Sequence, residues 1–251
     1  MRLKYLFSFL IFLFFLPQIH QLQAQTSPYR LKPALDISFS VGGLAGLGTS
    51  YYLEKKLQPL TEANIQALDR NRIPKFDRIA ASQWDLKAKT TSDILLFGSM
   101  AMAPAIILAN SNMRQDLKTT AVIGLETFFI NLALTNLTKS LAHRTRPFVY
   151  NPNAPMSKKM EKDARLSFFS GHTSTVASMS FMSAQMLQDY TRAYHPENQK
   201  YMPFVWGAAA ALPALTGYLR VKAGKHFPTD VLTGYLVGTA VGLLVPRLHR
   251  K

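Results

Sequence analysis

Apolar residues gather in six stretches of the chain, residues 34–53, 92–110, 119–141, 173–188, 201–219 and 229–245, each bounded by polar turns. None shows the strict alternation of a half-buried strand over a useful length, and their lengths suit helices. The fold class expected is all-α, a helical bundle of about five to six core helices. Residues 201–219 and 229–245 are the strongly apolar stretches and approach the ~20 residues that cross a bilayer, so the bundle is expected to span a membrane. Residues 119–141 carry Glu126, Asn131 and Asn136, and 173–188 is rich in Ser and Thr. Polar side chains at that depth belong on the bundle interior. Gly42, Gly43, Gly46 and Gly48 interrupt 34–53, which is therefore expected as a partly inserted or packing helix.

Three regions follow from this pattern. Arg2 and Lys4 precede an apolar run over residues 6–16, then Pro17 and Gln-rich sequence. That layout reads as an export signal over 1–24, cleaved after Ala24, although Leu22 is large for its place before the cut. Residues 25–91 form an N-terminal helical and interfacial segment, whose 54–91 part mixes both charges; Thr61 is placed to cap a short helix there. Residues 92–251 form the helical core. The motif-bearing loops face outward if 92–110 is the first span and inward if 34–53 also crosses. The first arrangement puts Arg114, Lys118, Arg192, Lys200, Arg247, Arg250 and Lys251 on the cytoplasmic side, as the positive-inside tendency favours.

Composition adds one constraint. The 251 residues carry a formal net charge of +15, which points to anionic partners: nucleic acid, acidic headgroups or phosphorylated substrates. The chain has no cysteine, excluding disulfides, thiolate metal sites and a cysteine nucleophile. Its mean hydropathy of +0.02 is low for a membrane protein and keeps a soluble exported bundle in view. Nucleic acid is a poor fit, because the basic residues follow motifs and turns without a continuous basic helix face or an aromatic platform.

The candidate chemistry lies in three short pieces far apart in sequence. Lys139 and Arg146 are seven apart, two helical turns, near the end of one helix, with Pro147 closing it. A guanidinium holds two phosphate oxygens while an ammonium acts as a point charge. Phe169-Ser170-Gly171-His172 precedes a helix that Thr173 or Ser174 would cap; free amides at its start and a close-approaching Gly171 make an anion cradle, with the Ser170 hydroxyl as a further donor. His172 would stand beside the phosphate as a proton donor. In the third piece, Arg220 precedes His226, and Pro228 opens a helix with Asp230 in its first turn. Asp230 can then orient His226 as a carboxylate orients a catalytic histidine. These loops offer no compact cluster of metal ligands.

In order and spacing the three pieces resemble the type 2 phosphatidic acid phosphatase and haloperoxidase superfamily, whose pattern is K-x6-RP, PSGH and SR-x5-H-x3-D. The match runs from Lys139 to Asp230, with Phe169 in place of the proline and Leu219 in place of the serine. The resemblance implies His226 as a nucleophile forming a phosphohistidine, Asp230 as its orienter and His172 as general acid. Lys139, Arg146, Ser170, Gly171 and Arg220 would bind the phosphoryl oxygens, with Lys222 and Lys225 raising the local potential; His143 and Arg144 receive no catalytic role. It implies no metal or other cofactor, fixed cations and backbone dipoles taking that place. The expected activity is hydrolysis of a lipid phosphate or pyrophosphate at the periplasmic face of the inner membrane. The alternatives are a soluble periplasmic acid phosphatase, a vanadium-dependent haloperoxidase, and a binding protein with a dead pocket.

Overall fold

The computed structural model describes residues 27–251; the expected signal, 1–24, lies outside them. The bundle consists of α1 (Pro33–Lys56), α2 (Leu86–Ala109), α3 (Leu117–Ala142), α4 (Gly171–Tyr194), α5 (Met202–Lys222) and α6 (Pro228–Leu248). Every stretch expected to be helical is helical. Most run further than hydropathy suggested because caps, not apolar residues, set the ends. Asp85 accepts the Ala88 amide at 2.9 Å and starts α2 before its apolar run. Ser170 stands at the N-cap of α4, and Pro228 opens α6. At the other end of α3, His143 turns left-handed (φ 46°) and stops the helix.

The glycines of α1 do not break it. It is a continuous 24-residue helix lying along α3, where a Cβ on Gly46 would stand 3.2 Å from that of Ala133. Among the described residues, four stretches rather than two are long and apolar enough to cross a membrane: Leu86–Ala109, Leu117–Tyr150, Pro196–Lys222 and Pro228–Leu248. Within the apolar parts of α2 and α3, Ser92, Ser99, Thr127 and Asn131 are buried and so lie on the bundle interior. The outward faces keep Ile94, Phe97, Phe204 and Leu236 exposed, the surface that lipid would cover.

Helix α4 is the axis of the bundle. Residues 173–186 are buried throughout, including six serines and threonines, and Asn131 of α3 bonds to both Ser174 and Thr175. This is the interior use of polar residues expected from sequence. Also against α4 lies a seam of Gly234, Gly238 and Gly242 on α6. A Cβ there would stand 2.5, 2.2 and 2.5 Å from the carbonyl oxygens of Ser170, Ser174 and Ser178. Small residues at four-residue spacing let two backbones touch, and here they bring the N-termini of α4 and α6 together.

The 54–91 segment packs over the loops at that same end. Thr61 caps its short helix Glu62–Gln66, as expected. Ile65 joins Phe148 and Val149, while Ile73, Ala80 and Ala81 pack with Phe227. Backbone contact is close: Gly224, with φ 67°, lies where a Cβ would meet the Gln83 carbonyl oxygen at 2.2 Å.

We predict that Gly238→Ala, which pushes a methyl into an unyielding backbone carbonyl, costs about 1–3 kcal/mol and lowers the melting temperature in detergent. Gly207→Ala, on the open face of α5 with nothing within 4 Å, leaves it unchanged or slightly raised.

Candidate active site

The motif residues meet at the end of the bundle formed by the C-termini of α3 and α5 and the N-termini of α4 and α6. Lys139 leaves the last turn of α3. Arg146 is not on that helix: beyond the His143 turn it is extended and precedes the short helical turn Pro147–Tyr150. The two cations therefore meet through a chain reversal rather than through two-turn spacing on one face. Arg220 comes from the last turn of α5, and His226 from the loop that follows. His172 is the second residue of α4. The cap of that helix is Ser170 rather than Thr173 or Ser174.

A cavity of about 330 Å³ is lined by Lys139, Arg146, Arg220, His172 and His226, joined by Lys89, Lys225, Asp93 and Asp163. Five cations thus face two carboxylates. The other three expected residues stand behind the lining. Ser170 is fully buried, its hydroxyl 2.9 Å from that of Thr173. Gly171 lies beneath Lys139, where a Cβ would approach the ammonium at 3.7 Å and Thr135 at 3.0 Å. Asp230 is buried behind His226.

The partners of His226 fix its tautomer. Nδ1 lies 2.7 Å from the Ser167 carbonyl oxygen, which only accepts, so Nδ1 carries the proton. Nε2 lies 3.1 Å from the Arg146 guanidinium, which only donates, so Nε2 presents a lone pair. Burial, then Arg146, Arg220 and Lys139, hold the imidazole pKa well below its usual value. His226 is therefore neutral, with Nε2 the nitrogen whose lone pair is available.

Asp230 does not make the direct bond to His226 that sequence suggested; its oxygen is 3.7 Å from Nδ1. It acts one step removed. Asp230 accepts from the Ser167 hydroxyl at 2.5 Å, the Phe227 amide at 2.9 Å and Arg144 at 2.5 Å. It thereby holds Ser167, whose carbonyl holds His226. Arg144, given no role from sequence, clamps this arrangement by also binding Asp77 at 2.7 Å and Thr229 at 2.8 Å. His143 is an exposed loop histidine, as expected.

On the other wall, His172 Nε2 lies 2.8 Å from Asp93. Asp93 also takes Lys89 at 2.8 Å and approaches Arg220 at 3.5 Å. Arg220 additionally reaches the Ser92 hydroxyl at 3.3 Å. Arg146 is fixed in plane by Asp163, through the side chain at 2.7 Å and the carbonyl at 2.8 Å. Burial would raise the Asp163 pKa, but Arg146 and Lys139 outweigh it and hold it below the usual carboxylate range. Lys225 lines the cavity, whereas Lys222 points to Asp85 at 3.6 Å and does not. The two departures from the family pattern leave the site standing. Phe169 is buried directly before the cap of α4, and Arg220 is seated without a serine at 219.

Sequence reading missed Asp93, Asp163, Ser167 and Asp77. Only Asp93 had a signal, as a carboxylate in a long apolar helix, where an ionisable residue marks function by default. Asp163, Ser167 and Asp77 sit in polar loops where nothing sets them apart.

Comparison with known proteins bears on the family and the fold. The family model described as the PAP2 superfamily matches residues 120–251. Among solved structures, the first transmembrane PAP2-type phosphatidylglycerolphosphate phosphatase from Bacillus subtilis aligns over 82% of this chain and 94% of its own. The TM-score is 0.51, at 22% sequence identity.

Burial, then Arg146, holds the Lys225 ammonium down to about 8. Lys225 is thus charged below that pH and neutral above it. Inhibition by inorganic phosphate is expected to weaken as pH rises through about 8. Lys225→Arg, whose guanidinium stays charged, should move that decline to higher pH, as inhibition constants measured across the range will reveal.

Proposed function

From the premise that the chain belongs to the PAP2 superfamily, we propose that it is a phosphatase acting on a membrane lipid phosphate or pyrophosphate through a phosphohistidine on His226. The observation that carries this reading is the meeting of Lys139, Arg146, Arg220, His172 and His226 around one cavity at the end of helices able to span a membrane. A phosphate at headgroup depth would enter this cavity while acyl or prenyl chains remain among the exposed apolar faces. The site would face the periplasmic side, with 1–24 serving as the export signal, 25–91 as an interfacial segment and 92–251 as the catalytic core.

In this mechanism Arg146, Lys139 and Arg220 hold the non-bridging oxygens, and the Nε2 lone pair of His226 attacks phosphorus. As the N–P bond forms, the bond from phosphorus to the leaving oxygen breaks, and His172 gives that oxygen a proton. His172 then takes a proton from water, whose oxygen attacks phosphorus. The N–P bond breaks, phosphate leaves and His226 is restored neutral. Asp93 positions His172, and the chain from Arg144 and Asp77 through Asp230 to Ser167 keeps Nε2 unprotonated. The cations are in place before reaction, so charge developing on the oxygens meets donors that need not reorganise.

Purified protein assayed against phosphatidic acid, phosphatidylglycerol phosphate, polyprenyl pyrophosphate and a soluble phosphomonoester tests this reading. We expect hydrolysis of at least one lipid at higher kcat/KM than the soluble ester, and loss of at least about 10³-fold in His226→Ala with the helical spectrum intact. Preference for the soluble ester would overturn the lipid assignment, and normal phosphate release by His226→Ala would overturn the mechanism.

A further inference from the structure

At the far end of the bundle, a second group of ionisable side chains comes together with no part in the reaction. Asp36 of α1, Glu126 of α3 and His249, just beyond α6, place their donor atoms within 4.8 Å of one another. Glu126 is thirteen residues before Lys139 on the same helix, so the cluster lies about 20 Å from the cavity.

The hydrogen bonds of His249 decide what this cluster can hold. Its Nδ1 lies 2.8 Å from the Val245 carbonyl oxygen. A carbonyl only accepts, so Nδ1 carries a proton. Nε2 faces two carboxylates, 2.8 Å from Asp36 and 3.2 Å from Glu126. A bare lone pair there would confront two carboxylates, a conflict that a proton on Nε2 or a bound cation would relieve. With both carboxyls ionised, an imidazolium would leave the cluster one negative charge in excess. A divalent cation balances it: neutral imidazole, two carboxylates, net zero.

Glu126 independently calls for such a ligand. It is only 8% exposed, and neither of its carboxylate oxygens has a hydrogen-bond partner. A buried carboxylate without a hydrogen bond is costly; Oε2 of this one only approaches Nε2 of His249, at 3.2 Å, and Oε1 has no partner.

We propose that Asp36, Glu126 and His249 bind a divalent transition-metal ion of the zinc class, which joins α1 and α3 to the C-terminus. One imidazole nitrogen with carboxylate oxygens suits such an ion. The Val245 carbonyl accepting from the other ring nitrogen is the usual orienting bond of a metal-ligating histidine. Asp36, partly open to solvent, leaves room for water as a fourth ligand. The role is structural. The ion would fix the chain end that also carries the backbone bond from Arg30 to the His249 carbonyl.

The test uses untagged full-length protein stripped with EDTA and titrated with zinc chloride, with metal content and melting temperature as readouts. We expect one zinc per chain, a melting temperature raised by zinc and lowered by EDTA, and at least about 100-fold weaker binding in Glu126→Gln. Asp36→Asn, at the exposed edge, is expected to behave likewise and carries the comparison if Glu126→Gln does not fold. His172→Ala should retain the ion. Wild type binding no more zinc than the Asp36 and Glu126 variants would overturn the proposal in favour of an imidazolium triad. Loss of the ion in His172→Ala would overturn it by placing the metal in the catalytic cavity. The proposal does not rest on the phosphatase reading, so either can fail alone.

Discussion

Mutual repulsion among Lys139, Arg146, Arg220 and Lys225 is the constraint that the rest of the architecture answers. Like charges brought together away from water raise one another's energy unless opposite charge or fixed dipoles compensate them. Here compensation is partial and local: Asp163 takes Arg146, while Asp93 takes Lys89 and approaches Arg220. The surplus stays positive, so an anion bound among these groups relieves strain that the fold alone sustains. A phosphoryl group in transfer, with charge spread over three oxygens, gains most from such a setting.

Keeping those cations in register falls to backbone packing rather than to further charge. The glycine seam of α6 lets it lie directly on α4, and the Ser170 amide donates to the Asp230 carbonyl at 3.0 Å. This couples the start of one helix to the start of the other. The loops bearing Arg146 and His226 are tied in the same way, with the Phe148 amide donating to Gly224 and Arg146 reaching the Lys225 carbonyl, both at 2.9 Å. The 54–91 segment completes the support through Asp77, which binds both Arg144 and Thr229. Stability and chemistry thus share residues at this end of the molecule.

Much of this was legible in the sequence because helix periodicity and motif spacing are local signals. The six helices stood out from apolar runs and caps, and the motif residues from their order and chemistry. What escaped was whatever depends on how segments fold back on one another. The seven-residue spacing of Lys139 and Arg146 looked like two turns of helix, yet the left-handed His143 breaks the helix between them. The four-residue spacing of His226 and Asp230 suggested a direct bond. Only the path of residues 163–170 reveals that Ser167 stands between them in function. Asp77 and Asp163 contribute through contacts across 67 and 17 residues of chain, and no local pattern encodes those. The four glycines of α1 read as helix breakers, but the helix runs through them, and one of them, Gly46, gives α3 a close approach at Ala133.

The nitrogen of His226 that accepts phosphate is the central claim, since its tautomer follows from the Ser167 carbonyl and the Arg146 guanidinium together. Rapid quenching of the protein with radiolabelled lipid phosphate, followed by proteolysis and identification of the phosphorylated peptide and ring position, measures it directly. The account predicts an acid-labile, alkali-stable phosphate on Nε2 of His226. Label on Nδ1, on His172, or on no residue at all during active turnover would contradict it.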